Sequence, residues 1–353
     1  MTRTIAVAGA TGIVGRGFLE HLAGRDVRLL ALGRRAPAAQ ANVTHLPVDL
    51  TRPDQVAALA ERLTDVDQLV YAAVSDDAGN VVSGWSTDAH VDRNRAMLAD
   101  LLDVLEPAAP RLRDVLVLQG TKAYGTTRGR FRLPARESDP RPPVTNFYWA
   151  QEDLLRTRKA AWSWTILRPT AVVGVAEKCA INILGSVAVY ATLLKETGSA
   201  LHFPGTHDHP VWQLVDNHLL GEAIDWCLTR PPHGNEIFNV SNGDATNWES
   251  LWPVIAAHFK MPVGPPRPVR LTDVMPARQP LWAEIAQKHG LANPVMADLV
   301  SWEVLDGHTR RDHNAYVGTL KIRGHGFNGF RDSIDTVTDK LRLMTAGGLI
   351  PRY

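Results

Sequence analysis

The sequence predicts an α/β fold, a doubly wound parallel sheet with a smaller, mostly helical lobe. Three observations predict it. Short apolar runs alternate with helically spaced apolar residues through the first half of the chain. A glycine triplet falls between the first such run and the first such helix. Later, helical patterns are separated by polar and proline-rich stretches.

Ile5 to Ala8 reads as the first strand, and Val14, Phe18, Leu19 and Leu22 then recur at helical spacing. Val27 to Ala31 is the second strand and Val43 to Val48 the third. A helix over Thr51 to Leu63 opens with Thr51 as N-cap and Asp54 three residues on. Gln68 to Ala73 is the fourth strand and Asp88 to Glu106 a long helix. Val115 to Leu118 is the fifth strand, Thr145 to Arg158 a helix, and Thr165 to Leu167 the sixth strand. Strands alternating with helices in this way build a parallel sheet covered on both faces, the Rossmann-type arrangement. Further on, Asp216 to Thr229 and Trp248 to Phe259 read as helices around a strand at Ile237 to Val240. Pro262 to Pro268 reads as a loop or linker, and Leu281 to His289 and Ile334 to Leu343 as helices.

Composition narrows the function classes. Of the 353 residues, 45% are hydrophobic and 21% charged, which supports a sizeable core and argues against disorder. A formal charge of +1 argues against a nucleic-acid partner. The two cysteines, Cys179 and Cys227, form no metal-ligand pair or disulfide framework, which fits a reducing compartment. The N-terminal apolar run is cut short by glycines and does not read as a signal peptide. The longest uncharged stretch, Cys179 to Leu194, is shorter than the roughly 20 residues of a membrane helix and reads as a buried helix. The cytoplasm is the expected location.

Gly9, Thr11, Gly12, Ile13, Val14 and Gly15 sit where a strand turns into a helix. There, glycines allow a tight turn, close backbone approach to a pyrophosphate, and close helix packing. The helix N-terminus offers free N–H groups to phosphates. An NAD enzyme usually carries an acid about 20 residues after the motif, for the ribose 2′-hydroxyl. Here Arg34 and Arg35 stand at that place, and no acid occurs until Asp49. Guanidinium groups pair with a 2′-phosphate, so NADPH is the expected cofactor. Asp49, with Leu50 beside it, is placed for the adenine. The dinucleotide domain is expected over residues 1–175, with strands returning from about 211–245. Residues 176–353 mainly form the second lobe.

Short-chain dehydrogenases usually carry Tyr-x-x-x-Lys on the helix after the fifth strand, both side chains on one face. This chain has Tyr148 followed four residues later by Glu152, so the lysine is missing. A replacement is Lys122, in the loop after the fifth strand, at the carboxyl edge where ligands of such folds bind.

Several segments taken together resemble the progesterone 5β-reductase/iridoid synthase-like (PRISE) family of atypical short-chain dehydrogenases/reductases. They are the Gly9–Gly15 turn, Arg34-Arg35, Lys122-x-Tyr124-Gly125, Asn146-Phe-Tyr148 with Glu152-Asp153, Arg168-Pro169, Phe238 to Asp244, and His325 to Phe330. The resemblance implies NADPH-dependent reduction of the C=C bond of an enone. Tyr148 and Lys122 would stabilise the enolate, and the second lobe would cover a small-molecule substrate. It also implies cofactor contacts at Ala73, Gln119, Tyr148, Val172, Cys179, Ala180 and Ile181. Val74, Trp149, Phe327 and Phe330 would line the substrate pocket. Ala73, Val74 and Trp149 depart from the family pattern, so the substrate need not be a steroid or a terpene dialdehyde.

Other readings compete. One is an extended-superfamily carbonyl reductase or a sugar-nucleotide epimerase or dehydratase, against which Glu152 counts. Another is a non-catalytic NADPH-binding regulator. A homodimer is compatible with the sequence. Phe327 and Phe330 are alternatively plain core residues. No metal is expected: His202, His207, Asp208 and His209 match no usual ligand spacing. Asp216 reads as a helix N-cap. Ser163 and Ser241 lack a nucleophile elbow.

Overall fold

The computed structural model describes residues 2–76, 83–126, 129–179, 181–206, 210–230 and 234–353. They form two compact units, the first made of Met1–Val172, Asn217–Ser241 and Val317–Phe330. Val317–Phe330 thus belongs with the first unit, although the sequence division assigns it to the second region.

The first unit contains β1 (Arg3–Ala8), α1 (Ile13–His21), β2 (Val27–Gly33), β3 (Val43–Pro47), α2 (Pro53–Ala57) and β4 (Gln68–Tyr71). After these come α3 (Asp88–Ala108), β5 (Asp114–Leu118), α4 (Phe147–Thr157) and β6 (Ser163–Pro169). A returning strand, Glu236–Val240, completes a seven-stranded parallel sheet. Its order is 236–240, β6, β5, β4, β1, β2, β3. The order reverses direction between β1 and β4, the switch point outside whose carboxyl edge ligands of such folds sit. The inner strands are apolar and buried on both faces, as parallel sheets require. On α3, Met97, Leu98, Leu101, Leu102 and Leu105 recur at helical spacing and join the core formed by Tyr71, Val115 and Val117.

Packing between α1 and the returning helix Asn217–Thr229 is close. A Cβ on Gly17 would stand 2.4 Å from the Asn217 carbonyl oxygen. Near this seam Asp225 accepts from Arg3 at 2.7 Å and from Arg25 at 3.1 Å, with His21 Nε2 at 3.3 Å.

The expected helix over Thr51 to Leu63 is not one helix, and Thr51 does not cap it. Pro53 opens the short α2, and a separate 3-10 turn follows at Ala60–Arg62. The Thr51 hydroxyl is instead spent on Asp49 Oδ1, at 2.8 Å, closing a local turn.

The second unit comprises Val173–Asp216, Asn242–Tyr316 and Arg331–Tyr353. Its main helices are Ile183–Glu196, Trp248–His258, Gln279–His289, Trp302–Thr309 and Ser333–Ala346. The uncharged stretch ending at Leu194 does form a buried helix. The proline-rich segment is not all loop: Val263–Gly264 pairs in parallel with Leu201–His202. Asp216 ends a strand immediately before the helix at Asn217, and its buried carboxylate pairs with Lys340 at 2.9 Å. No described helix is long and apolar enough to cross a membrane.

Candidate active site

The chain leaves β1 through Gly9, whose φ of +81° lies in the left-handed region. A Cβ there would stand 2.6 Å from the Ala72 carbonyl oxygen. At Gly15 it would stand 2.3 Å from the Gly9 carbonyl oxygen, so α1 starts hard against the turn. Gly12 differs: a Cβ there meets only that same oxygen, at an ordinary 3.5 Å. Among the described residues no neighbour demands glycine at this position, which leaves room for an approach from outside. Gly12 opens α1 without a side-chain cap, and the first turn, with Ile13, Val14 and Gly15, carries no acidic residue. Uncapped N–H groups, the helix dipole and a glycine facing open space fit the phosphates of a dinucleotide. Thr11 and Val14 are half-buried at the turn, and Ile13 is buried.

Arg34 and Arg35 follow β2 and are exposed. The carboxylate nearby is Asp49, which accepts from Thr51 through N–H and hydroxyl at 3.0 and 2.8 Å. Those bonds, aided by Arg34 and Arg52, hold its carboxyl below the usual range. Leu50 is buried in the core beneath.

Past the ends of β4 and β5, side chains rather than backbone make the site. Asn146 caps α4, its Oδ1 accepting from Tyr148 N at 3.0 Å, while its Nδ2 donates to the Lys122 carbonyl at 3.0 Å. One side chain thus ties the Lys122 turn, Thr121–Tyr124, to the start of the tyrosine helix. Lys122 Nζ stands 3.2 Å from the centroid of the Trp85 ring. Trp85 in turn meets Tyr148 edge-on, at 5.3 Å between centroids. Its Nε1 donates to Asp76 Oδ1 at 2.8 Å, and His90 Nε2 lies 3.3 Å from that same oxygen. The backbone passes close by: a Cβ on Gly120 would stand 3.3 Å from the Tyr148 hydroxyl. Burial pushes the Tyr148 phenol far above its ordinary pKa; Asp76 adds to the shift and Arg168 opposes it. Tyr148 is therefore a neutral hydrogen-bond donor at physiological pH, not a tyrosinate.

Glu152 is buried at the position of the usual lysine. It pairs with Arg168 at 2.8 Å, Arg156 at 2.9 Å and Arg141 at 3.1 Å. Arg168 Nε donates to Gln119 Oε1 at 3.0 Å, and Gln119 Nε2 donates to the Tyr148 carbonyl at 2.7 Å. The Gln119 amide, expected at the cofactor, is thus bonded at both ends inside the protein. Sequence reasoning missed Trp85, Asp76 and the linking role of Asn146. The available signal was one large aromatic in a polar stretch after β4.

Other expected site residues are placed as follows. Ala73 packs against the sheet core, Val74 is exposed and Trp149 half-buried. Phe327 is a core side chain, 5.7 Å from Trp226, whereas Phe330 is exposed. Val172 closes the first segment of the first unit, and Cys179 and Ile181 belong to the second unit. Cys179 Sγ lies 3.6 Å from the Ile181 carbonyl oxygen. Ala180, His207, Asp208 and His209 lie outside the described residues. His202 Nδ1 lies 2.7 Å from the Pro265 carbonyl oxygen.

Comparison with known proteins agrees with this architecture. The chain is 29% identical to an (S)-8-oxocitronellyl enol synthase of Nepeta racemosa, over 98% of this chain and 91% of the relative. It has the same identity to an (S)-8-oxocitronellyl enol synthase of Antirrhinum majus, over 98% and 92%. A short chain dehydrogenase of Penicillium aethiopicum is 27% identical over the full length of both chains. Among solved structures, the enzyme WbmH of Bordetella bronchiseptica in complex with NAD+ superposes with a TM-score of 0.67. It is 15% identical, covering 99% of this chain and 100% of that one, so the likeness is one of fold. The model of the PRISE-like Rossmann-fold domain matches residues 46–299, and the chain belongs to that family.

Proposed function

We propose that this protein is an NADPH-dependent reductase of the activated C=C bond of an enone. The observation that carries the reading is the group of Tyr148, Trp85 and Lys122: a neutral buried phenol beside an indole that carries an ammonium on its face. Family membership and the enol-synthase relatives support it.

The turn at Gly12 and the start of α1 would hold the pyrophosphate, and Arg34 and Arg35 the 2′-phosphate. When bound, the nicotinamide would supply a hydride to the β-carbon of the enone, and the residues here would meet the negative charge that develops on the substrate's carbonyl oxygen. Tyr148 donates its O–H to that oxygen without giving up the proton. Lys122, resting on Trp85, adds positive potential. One well-placed donor of this kind contributes about 3–4 kcal/mol to the transition state. Water is a sufficient proton source for the α-carbon.

Glu152 disfavours carbonyl oxidation or epimerisation as the alternative, since that chemistry wants a lysine beside a deprotonated tyrosine. The test is NADPH oxidation with small enones such as cyclohexenone, in wild type and Tyr148→Phe. Turnover of enones that is lost in Tyr148→Phe is expected. Ketone reduction without enone reduction would overturn the proposal.

A further inference from the structure

The most unusual buried group in the first unit is Glu152. A carboxylate occupies the helix position where the superfamily's chemistry asks for a cation, and it is almost fully withdrawn from water. Three guanidinium groups face it: Arg156 from α4 itself, Arg141 from the preceding loop, and Arg168 from β6. Arg141 is shared with Asp153 at 2.8 Å. Only Arg168 is as buried as Glu152, and it points inward rather than to solvent. Its cation also lies 5.1 Å from the Tyr124 ring, and the Tyr124 hydroxyl donates to Asn239 Oδ1 at 2.6 Å. From Arg168 the chain of bonds runs through Gln119 to the backbone carbonyl of Tyr148.

We infer that Glu152 is a positioning residue which, through Arg168 and Gln119, fixes the first turn of α4 and with it the Tyr148 ring. The inference rests on the reading of Tyr148 as a donor to an enolate. The hydrogen-bond chain holds the first turn of α4, and with it the ring, at a set depth.

The test compares Glu152→Gln with wild type, each with and without Tyr148→Phe. Near-ultraviolet circular dichroism is recorded in the protein without added ligand, and the paired differences isolate the Tyr148 band. In Glu152→Gln that band should be largely lost, because the ring is no longer held at one depth against Trp85. Enone kcat should fall with KM little changed. An unchanged Tyr148 band in a cooperatively folded Glu152→Gln protein overturns the inference. Should that variant fail to fold, Glu152→Met/Arg168→Met removes both buried charges, a replacement that buried ion pairs often tolerate. It should lower kcat because Gln119 loses its anchor, and an unchanged kcat overturns the inference. A lost band without enone turnover in wild type would sink the enone reading and leave this one standing. Turnover with an unchanged band does the reverse.

Discussion

The glycine turn after β1 and the tyrosine group after β5 lie along one sheet edge but are made by opposite means. The turn is built from backbone: Gly9 and Gly15 are required by contacts of 2.6 and 2.3 Å, and Gly12 is left open. The tyrosine group is built from side chains that the sequence scatters, Trp85, Lys122, Asn146 and Tyr148, each placed by another. A phosphate can be held by any chain that bends correctly. An enolate needs a donor at one point, and that point is set by packing.

The largest expected effect breaks the side-chain site directly. Tyr148→Phe removes the donor and should lower kcat with an enone by roughly 10²–10³-fold, with little change in melting temperature. Steady-state kinetics and thermal unfolding check both halves. Next comes the cofactor edge. Arg34→Ser/Arg35→Ser removes two cations and should erase the proposed preference for NADPH over NADH. A loss of about 2–3 kcal/mol in NADPH binding, measured by fluorescence titration, is the expected scale.

The glycines sharpen the comparison. Gly15→Ala forces a Cβ onto backbone and should destabilise the fold by about 1–3 kcal/mol in denaturant unfolding. Gly12→Ala should leave stability nearly unchanged yet weaken dinucleotide binding, because only the ligand needs that space. Equal melting losses at the two positions would refute the division of labour drawn here. The smallest effect is expected from Trp85→Leu, which takes the aromatic face from under Lys122. A loss of about 0.5–2 kcal/mol in transition-state stabilisation is expected, read from kcat/KM.

The contrast also explains what could be read from the sequence. The inner strands of the sheet were legible because a buried parallel strand is an apolar run bounded by polar turns, as at Ile5–Ala8 and Val115–Leu118. The glycine turn was legible because backbone geometry leaves its mark in residue choice. The Thr51 helix was misjudged because a cap signal and a local Asp49–Thr51 turn use the same residue types, and Pro53 decided between them. Trp85 was missed because its one local mark, a large aromatic in a polar stretch, does not record that Lys122 and Tyr148 will fold onto it. Glu152 was noticed as a missing lysine and as part of a family-like segment, not for what it pairs with. Its meaning depends on Arg168 and Gln119, which reach it from β6 and from the loop after β5.

Gly17 bears on a different matter, the order in which the chain is made. The glycine fits against the carbonyl of Asn217, so α1 packs on a helix, Asn217–Thr229, that comes much later in the chain. During synthesis the ribosome releases β1 and α1 long before that partner exists, and the apolar side of the nascent sheet waits uncovered. An N-terminal fragment ending at Val172 is therefore not a transplantable cassette. It lacks the sheet's last strand and the helix that packs on α1, both in Asn217–Ser241, and it lacks Val317–Phe330, which belongs to the same unit.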